Sequence, residues 1–149
     1  MFVFIGLTIA FVQGGFVRRL APKVGEKKLL VLGLALMLPG FAAVGASNST
    51  GLLYIGLGLL ATGSALAMPT LSALVSLYAP LERQGLALGA FRSMGALSRA
   101  IGPILGGVLY WSLASWAPYY LGAAFLVLPL VLAIGLPDPR AGDPTATAH

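Results

Sequence analysis

The sequence predicts an all-α integral membrane protein with about five transmembrane helices, and three observations carry that prediction. Hydrophobic residues make up 58% of the chain and charged residues only 9%, with a mean hydropathy of +0.95, whereas an ordinary soluble domain has roughly 25% charged residues. Uncharged apolar stretches long enough for a helical crossing, which needs roughly 20 residues, recur along the 149 residues. Finally, five of the nine basic residues, Arg18, Arg19, Lys23, Lys27 and Lys28, lie in one short loop between two such stretches. A basic loop of this kind marks the cytoplasmic side, and the side of every later loop follows by alternation. The net charge of +5 is thereby read as an orientation signal, and no nucleic-acid partner is expected.

The first crossing is read over about residues 1–17. It is slightly short for a span, and its charges follow the apolar run instead of preceding it, which argues against a cleaved signal peptide. From Leu29 to Leu81 no charged residue occurs, a length that suits two crossings. The turn ASNSTG, Ala46 to Gly51, divides them into about 29–45 and 52–78. This uncharged turn falls outside the cell or in a lumen by alternation; its sequon at Asn48 lies so close to both helices that glycosylation is not expected.

Pro80, Glu82, Arg83 and Gln84 form the next cytoplasmic link, and a fourth crossing follows over about 86–111. Around the next, uncharged link cluster Tyr110, Trp111, Trp116, Tyr119 and Tyr120, as in an aromatic belt at the outer interface. The last crossing covers about 119–136. The polar, proline-rich tail 138–149 has nothing to build a core and is expected to be disordered and cytoplasmic. The chain is thus a multi-pass protein of the plasma membrane or an endomembrane, with the lipid bilayer as its first partner.

The helices differ in polarity. The second and fifth have almost no polar side chains within the membrane, which suits positions facing lipid. The third carries Gly58, Thr62, Ala65, Pro69, Ser72, Ala73 and Ser76 on one face at 100° per residue, a small and mildly polar surface that serves close packing or solute contact. On the fourth, Arg92 and Arg99 are seven residues apart and nearly superimposed two turns along the helix. Gly85, Gly89, Gly95, Ala96, Gly102, Pro103 and Gly106 share their side, and Leu86, Met94, Leu97, Ile101, Ile104, Leu105 and Val108 occupy the other.

Arg92, near the cytoplasmic end, has the option of snorkelling to the interface or pairing with Glu82. Arg99 lies near mid-membrane, where a guanidinium costs about 2.5–3.5 kcal/mol on insertion scales and usually lines a pathway or meets a partner. Backbone carbonyls, water, an acid from elsewhere or an anionic solute would serve it. Arg99 and Arg92 are therefore the leading candidates for solute contact, followed by Thr62, Ser72, Ser76 and Gln13. Helix breakers recur at Pro39, Pro69, Pro103 and Pro129, tolerable in membranes where neighbours satisfy the freed backbone groups.

Catalysis has little to work with. Cysteine is absent, the single histidine is His149 in the tail, and all four acids lie in loops or the tail. No metal, cofactor or nucleophile constellation emerges, and an enzyme is not expected.

Together these features resemble the second half of a major facilitator superfamily transporter, in particular the drug and proton antiporter branch that includes tetracycline exporters. The loop Gly14 to Lys28 resembles a degenerate copy of the family's cytoplasmic motif, with Gly15, Arg18, Arg19, Lys23 and Gly25 at the gating or orientation positions. Where the better-kept copy has an aspartate ahead of its first arginine, this chain has Arg18, so the role of that acid does not carry over. Pro80 to Gly107, PLERQGLALGAFRSMGALSRAIGPILGG, is similar to the junction of helices ten and eleven.

The resemblance covers about Met1 to Pro137 and implies helices eight to twelve of the fold, part of a C-terminal six-helix half. It also implies transport of a small organic solute, an anion above all, by alternating access between two halves. The second and fifth helices would be peripheral, and the first, third and fourth would border the central cavity. The first half and the seventh helix are not represented, so the chain reads as a fragment or truncated isoform that works with a missing N-terminal half or a full-length partner. The alternative is a non-transporting subunit that binds or regulates such a partner.

Overall fold

Helix boundaries in this chain are set by a few local devices. The structure, a computed structural model, describes residues 2–17, 19 and 24–137; Arg18, Lys23 and the tail 138–149, whose disorder and cytoplasmic location are expectations from sequence, lie outside the described residues. Helix α1, Phe2–Phe11, runs on into a π-helical segment, Val12–Val17. Then come α2, Glu26–Gly45, α3, Thr50–Tyr78, a 3-10 turn at Leu81–Arg83, α4, Gln84–Ser112, and α5, Ala117–Gly135.

Gly25 precedes α2 with φ +89°, a conformation that L side chains rarely adopt and that glycine, lacking a Cβ, takes without steric cost. Its carbonyl accepts the Leu29 N–H at 3.2 Å, so α2 begins at Glu26, three residues ahead of the apolar run. Ser49 caps α3 by accepting the Leu52 N–H at 3.3 Å. The Asn48 sequon is thus partly built into the helix start. At the other end of α3, Gln84 Nε2 donates to the Ser76 carbonyl at 3.0 Å, and the Tyr78 hydroxyl donates to the Pro137 carbonyl. Pro118 falls in the first turn of α5, where its missing N–H leaves no gap.

The helices alternate in direction. The aromatic link after α4 meets the C-terminal end of α2, where a Cβ on Gly45 would lie 3.1 Å from Tyr120 and 3.2 Å from Tyr119. At the other side of the bundle the Tyr78–Pro137 bond joins the C-terminal ends of α3 and α5. Among the described residues, three helices are by length and composition long and apolar enough to cross a membrane: α2, α3 and α5. The apolar part of α1 is shorter, and α4, 29 residues long, is diluted by its arginine, glycine and serine face.

α2 and α3 form the central pair. A Cβ placed on Gly33 would meet the Gly63 carbonyl oxygen at 2.9 Å, and one on Gly40 would meet the Leu60 nitrogen at 3.0 Å. From the other side, a Cβ on Gly56 would reach the Val44 nitrogen at 3.0 Å. Lipid is as apolar as leucine, so helices in a bilayer gain little from hydrophobic transfer and associate through close backbone approach and van der Waals packing.

Around that seam lie two clusters. Leu30, Leu34, Ala67, Leu74 and Ala133 join α2, α3 and α5, and Val12, Leu29, Ala65 and Leu66 join the π segment to α2 and α3. This corrects the expectation that the second helix mainly faces lipid: α2 buries Leu29, Leu30, Gly33, Leu34, Gly40 and Val44. α5 buries only Ala117 and Ala133 and leaves Phe125, Leu128 and Leu132 exposed. α4 buries no residue at all, and rests more lightly on α3 and α5.

Candidate functional site

Between the π segment, α3 and α4 lies a groove of about 590 Å³. Gln13 enters it from the π segment, Pro69 and Ser72 from α3, and Arg92, Gly95 and Arg99 from α4. A π turn is rare and often marks a functional position; here it carries Gln13. Pro69 has no N–H to give the carbonyl four residues back. Around it, the Thr70 hydroxyl donates to the Leu66 carbonyl at 2.5 Å and the Ser72 hydroxyl to the Met68 carbonyl at 3.2 Å.

The arginines stand on one side of α4 about 10 Å apart along its axis, as seven residues at 1.5 Å rise require. The Arg99 guanidinium folds back over Gly95: a Cβ there would lie 3.4 Å from Nη1. Long side chains on helices lean toward the N-terminus, and the bare Gly95 backbone leaves the planar group a flat bed. Ser98 also lines the groove, but its proton is engaged by the Met94 carbonyl at 2.9 Å. With both serine protons held by their own helices, the free donors are the two guanidinium groups and the Gln13 amide.

Among the described residues no carboxylate lines the groove, and neither Arg92 nor Arg99 makes an ion pair or side-chain hydrogen bond, with Glu82 or any other group. A groove with mostly apolar walls and two unanswered cations is suited to an anion with an apolar body.

Four of the residues singled out from sequence meet here: Gln13, Ser72, Arg92 and Arg99. Thr62 does not join them. It lines a second groove, with α1 and α2, and donates to the Gly58 carbonyl at 2.8 Å. Thr62 and Ser72 are ten residues apart, hence about 80° apart around α3 and about 15 Å along it, and α1 covers the Gly58 to Thr62 portion. Ser76 lies outside both grooves, its carbonyl held by Gln84.

Of the loop positions, Gly15 belongs to the π segment, Arg19 is exposed and Gly25 sets the start of α2. Phe91 and Ser98 were missed. The groove-facing sector of α4 is centred on Gly95, about 60° to one side of Arg92, so the arginines form its edge and Phe91 and Ser98 its far side. Among the described residues no group of three His, Cys, Asp or Glu side chains is placed to hold a metal.

The profile of the Major Facilitator Superfamily matches residues 1–149. The chain belongs to the major facilitator superfamily. Among its superfamily relatives, the mouse (Mus musculus) major facilitator superfamily domain-containing protein 10 is 35% identical over 139 residues, covering 93% of this chain and 30% of that protein. The human (Homo sapiens) protein of the same name is 36% identical over 132 residues, covering 89% of this chain and 29% of that protein. A crystal structure of the human organic anion transporter MFSD10 (TETRAN) matches with a TM-score of 0.80 at 35% identity, over 87% of this chain and 30% of that one. The chain thus spans 30% of the length of the mouse relative it matches. This superfamily membership accords with the all-α membrane fold read from the sequence.

Proposed function

We propose that this chain forms one wall of the path of a secondary transporter for small organic anions, part of the C-terminal half of the fold. The observation that carries the reading is the pairing of Arg92 and Arg99 in one mainly apolar groove with no carboxylate among its described lining. An aromatic carboxylate or sulfonate matches both properties: its charge meets a guanidinium, and its body meets Phe91, Met68 and Leu71. The description of the human relative as an organic anion transporter supports the same solute class.

Alternating access requires two bundles rocking about a site between them, so flux is expected only when a complementary bundle is present. The test has two parts. Purified chain in nanodiscs is titrated with a fluorescent aromatic carboxylate, and proteoliposomes of the chain alone are compared with those of the full-length human relative. Binding by the chain that Arg99→Ala weakens about tenfold or more, as loss of a charged hydrogen bond would, supports the reading. Binding indifferent to Arg99→Ala and Arg92→Ala overturns it, and saturable flux by the chain alone overturns the need for a second bundle.

One feature favours the second reading, a non-transporting subunit that binds a full-length transporter. The bulky face of α4, with Leu86, Met94 and Leu97 at 75%, 71% and 61% exposure, fits a neighbouring helix. Co-purification with a full-length transporter, with loss of its uptake, is the result that supports this reading.

A further inference from the structure

A second groove, of about 610 Å³, runs between α1, α2 and α3 and is separate from the arginine groove. Its walls are Phe4, Phe11, Leu32, Leu36 and Leu66, with Thr8 and Thr62 the only hydroxyl side chains among the described residues that line it. Both hydroxyls spend their protons inside their own helices, Thr8 on the Phe4 carbonyl and Thr62 on the Gly58 carbonyl, each at 2.8 Å. The groove therefore offers an occupant hydrocarbon and no directed donor. Leu7 and Phe11, at 68% and 72% exposure, leave it open along its α1 side.

What distinguishes this groove from other apolar surface is the charge at one end. Lys28, Leu32 and Leu36 are spaced by four and form one stripe of α2. Lys28 is exposed, stands one turn beyond Leu32 and leans outward along the helix toward its N-terminus. From Lys28 to Leu36 the stripe runs about 12 Å, close to the depth of hydrocarbon in one leaflet, half of roughly 30 Å. Lys27 adds positive charge beside it in the first turn of α2.

We propose that this groove is a binding site for an anionic phospholipid. One acyl chain lies against Leu32, Leu36 and Leu66, and the phosphate is held at Lys28. The outer face of α5, with Phe125, Leu128 and Leu132 exposed, is equally apolar but has no described cation in line with it, and so serves as an internal control. The site is independent of the arginine groove and of the transport reading.

The test uses the whole chain in phosphatidylcholine nanodiscs containing a small fraction of either phosphatidylglycerol or phosphatidylcholine with a photoreactive group on the acyl chain, followed by mapping of labelled peptides. The phosphatidylglycerol probe is expected to label the groove helices about fivefold more than α5, the preference that one lysine at a membrane surface confers. The phosphatidylcholine probe should label the two surfaces alike. Lys28→Gln should abolish the excess, and Lys28→Arg should retain it. Equal labelling by both probes in the wild type, an excess that survives Lys28→Gln, or an unlabelled groove would each overturn the proposal. The wild-type ratio decides the matter even if a variant folds poorly.

Discussion

Gly33 and Gly63 face one another across α2 and α3 so closely that a Cβ on either would collide with the other's carbonyl oxygen, at 2.9 Å and 2.6 Å respectively. Backbone stands in the way on both sides, so neither helix can yield by turning a side chain. Gly63→Ala should lower stability by about 1–3 kcal/mol, the usual range for overpacking, as a shift in the midpoint of unfolding in a mixed-micelle titration followed by circular dichroism. Gly102→Ala is the control, because nothing lies within 4 Å of a Cβ there. Equal midpoints for the two variants would contradict the packing described for α2 and α3.

At Gly95 the neighbour is a side chain. A Cβ there would sit 3.4 Å from Arg99 Nη1, an ordinary contact, so Gly95→Ala should keep anion binding nearly intact. Gly95→Leu fills the bed on which the guanidinium lies and should weaken binding about tenfold, comparable to loss of one charged hydrogen bond, while the helix content stays the same. Titration of both variants with a fluorescent carboxylate separates a role for the guanidinium's position from a general need for glycine.

The Tyr78–Pro137 hydrogen bond ties the end of α3 to the second residue past α5. Tyr78→Phe removes the donor and should cost about 1 kcal/mol locally. Amide exchange in the last turn of α5 should rise severalfold, with no change around Leu30 and Leu34. Uniform protection in the variant would show that the contact does not hold that end in place.

The chain has no cysteine, so single cysteines report sidedness without background. Glu82→Cys, in the exposed 3-10 turn, and Asn48→Cys, in the exposed turn before α3, should react with an impermeant maleimide from opposite faces of sealed membranes. By the basic-loop rule Glu82→Cys is expected to react from the cytoplasmic side. Labelling of both from one side would rule out the alternating arrangement.

Much of the helical organisation was legible because long apolar runs, small polar turns and charge asymmetry all act locally. The two-sided character of α4 was legible for the same reason, since 100° per residue places Arg92 and Arg99 together whatever the surroundings. The partner of α2 was not. Gly33 and Gly40, like Gly56 and Gly63, are seven residues apart, but in an apolar run glycine neither raises nor lowers the signal that separates lipid from protein. Reading that spacing as a seam between two helices would have found the pair. Thr62 and Ser72 looked equivalent on the small face of α3 because a face defined over five turns is wide enough to meet two different neighbours. Only the position of α1 over Gly58 and Thr62 divides it.

The π segment at Val12–Val17 also acts as a phase shift. A π turn takes up one residue more than an α turn, which corresponds to a phase change of about 100°, the angular step of one residue. Gln13 lies two residues past Phe11, about 200° around a regular helix, and Phe4 and Phe11 line one groove while Gln13 lines the other. Insertion or deletion of one residue here would rotate everything before it by about 100° relative to Gln13, turning Phe4 and Phe11 away from the wall they now form.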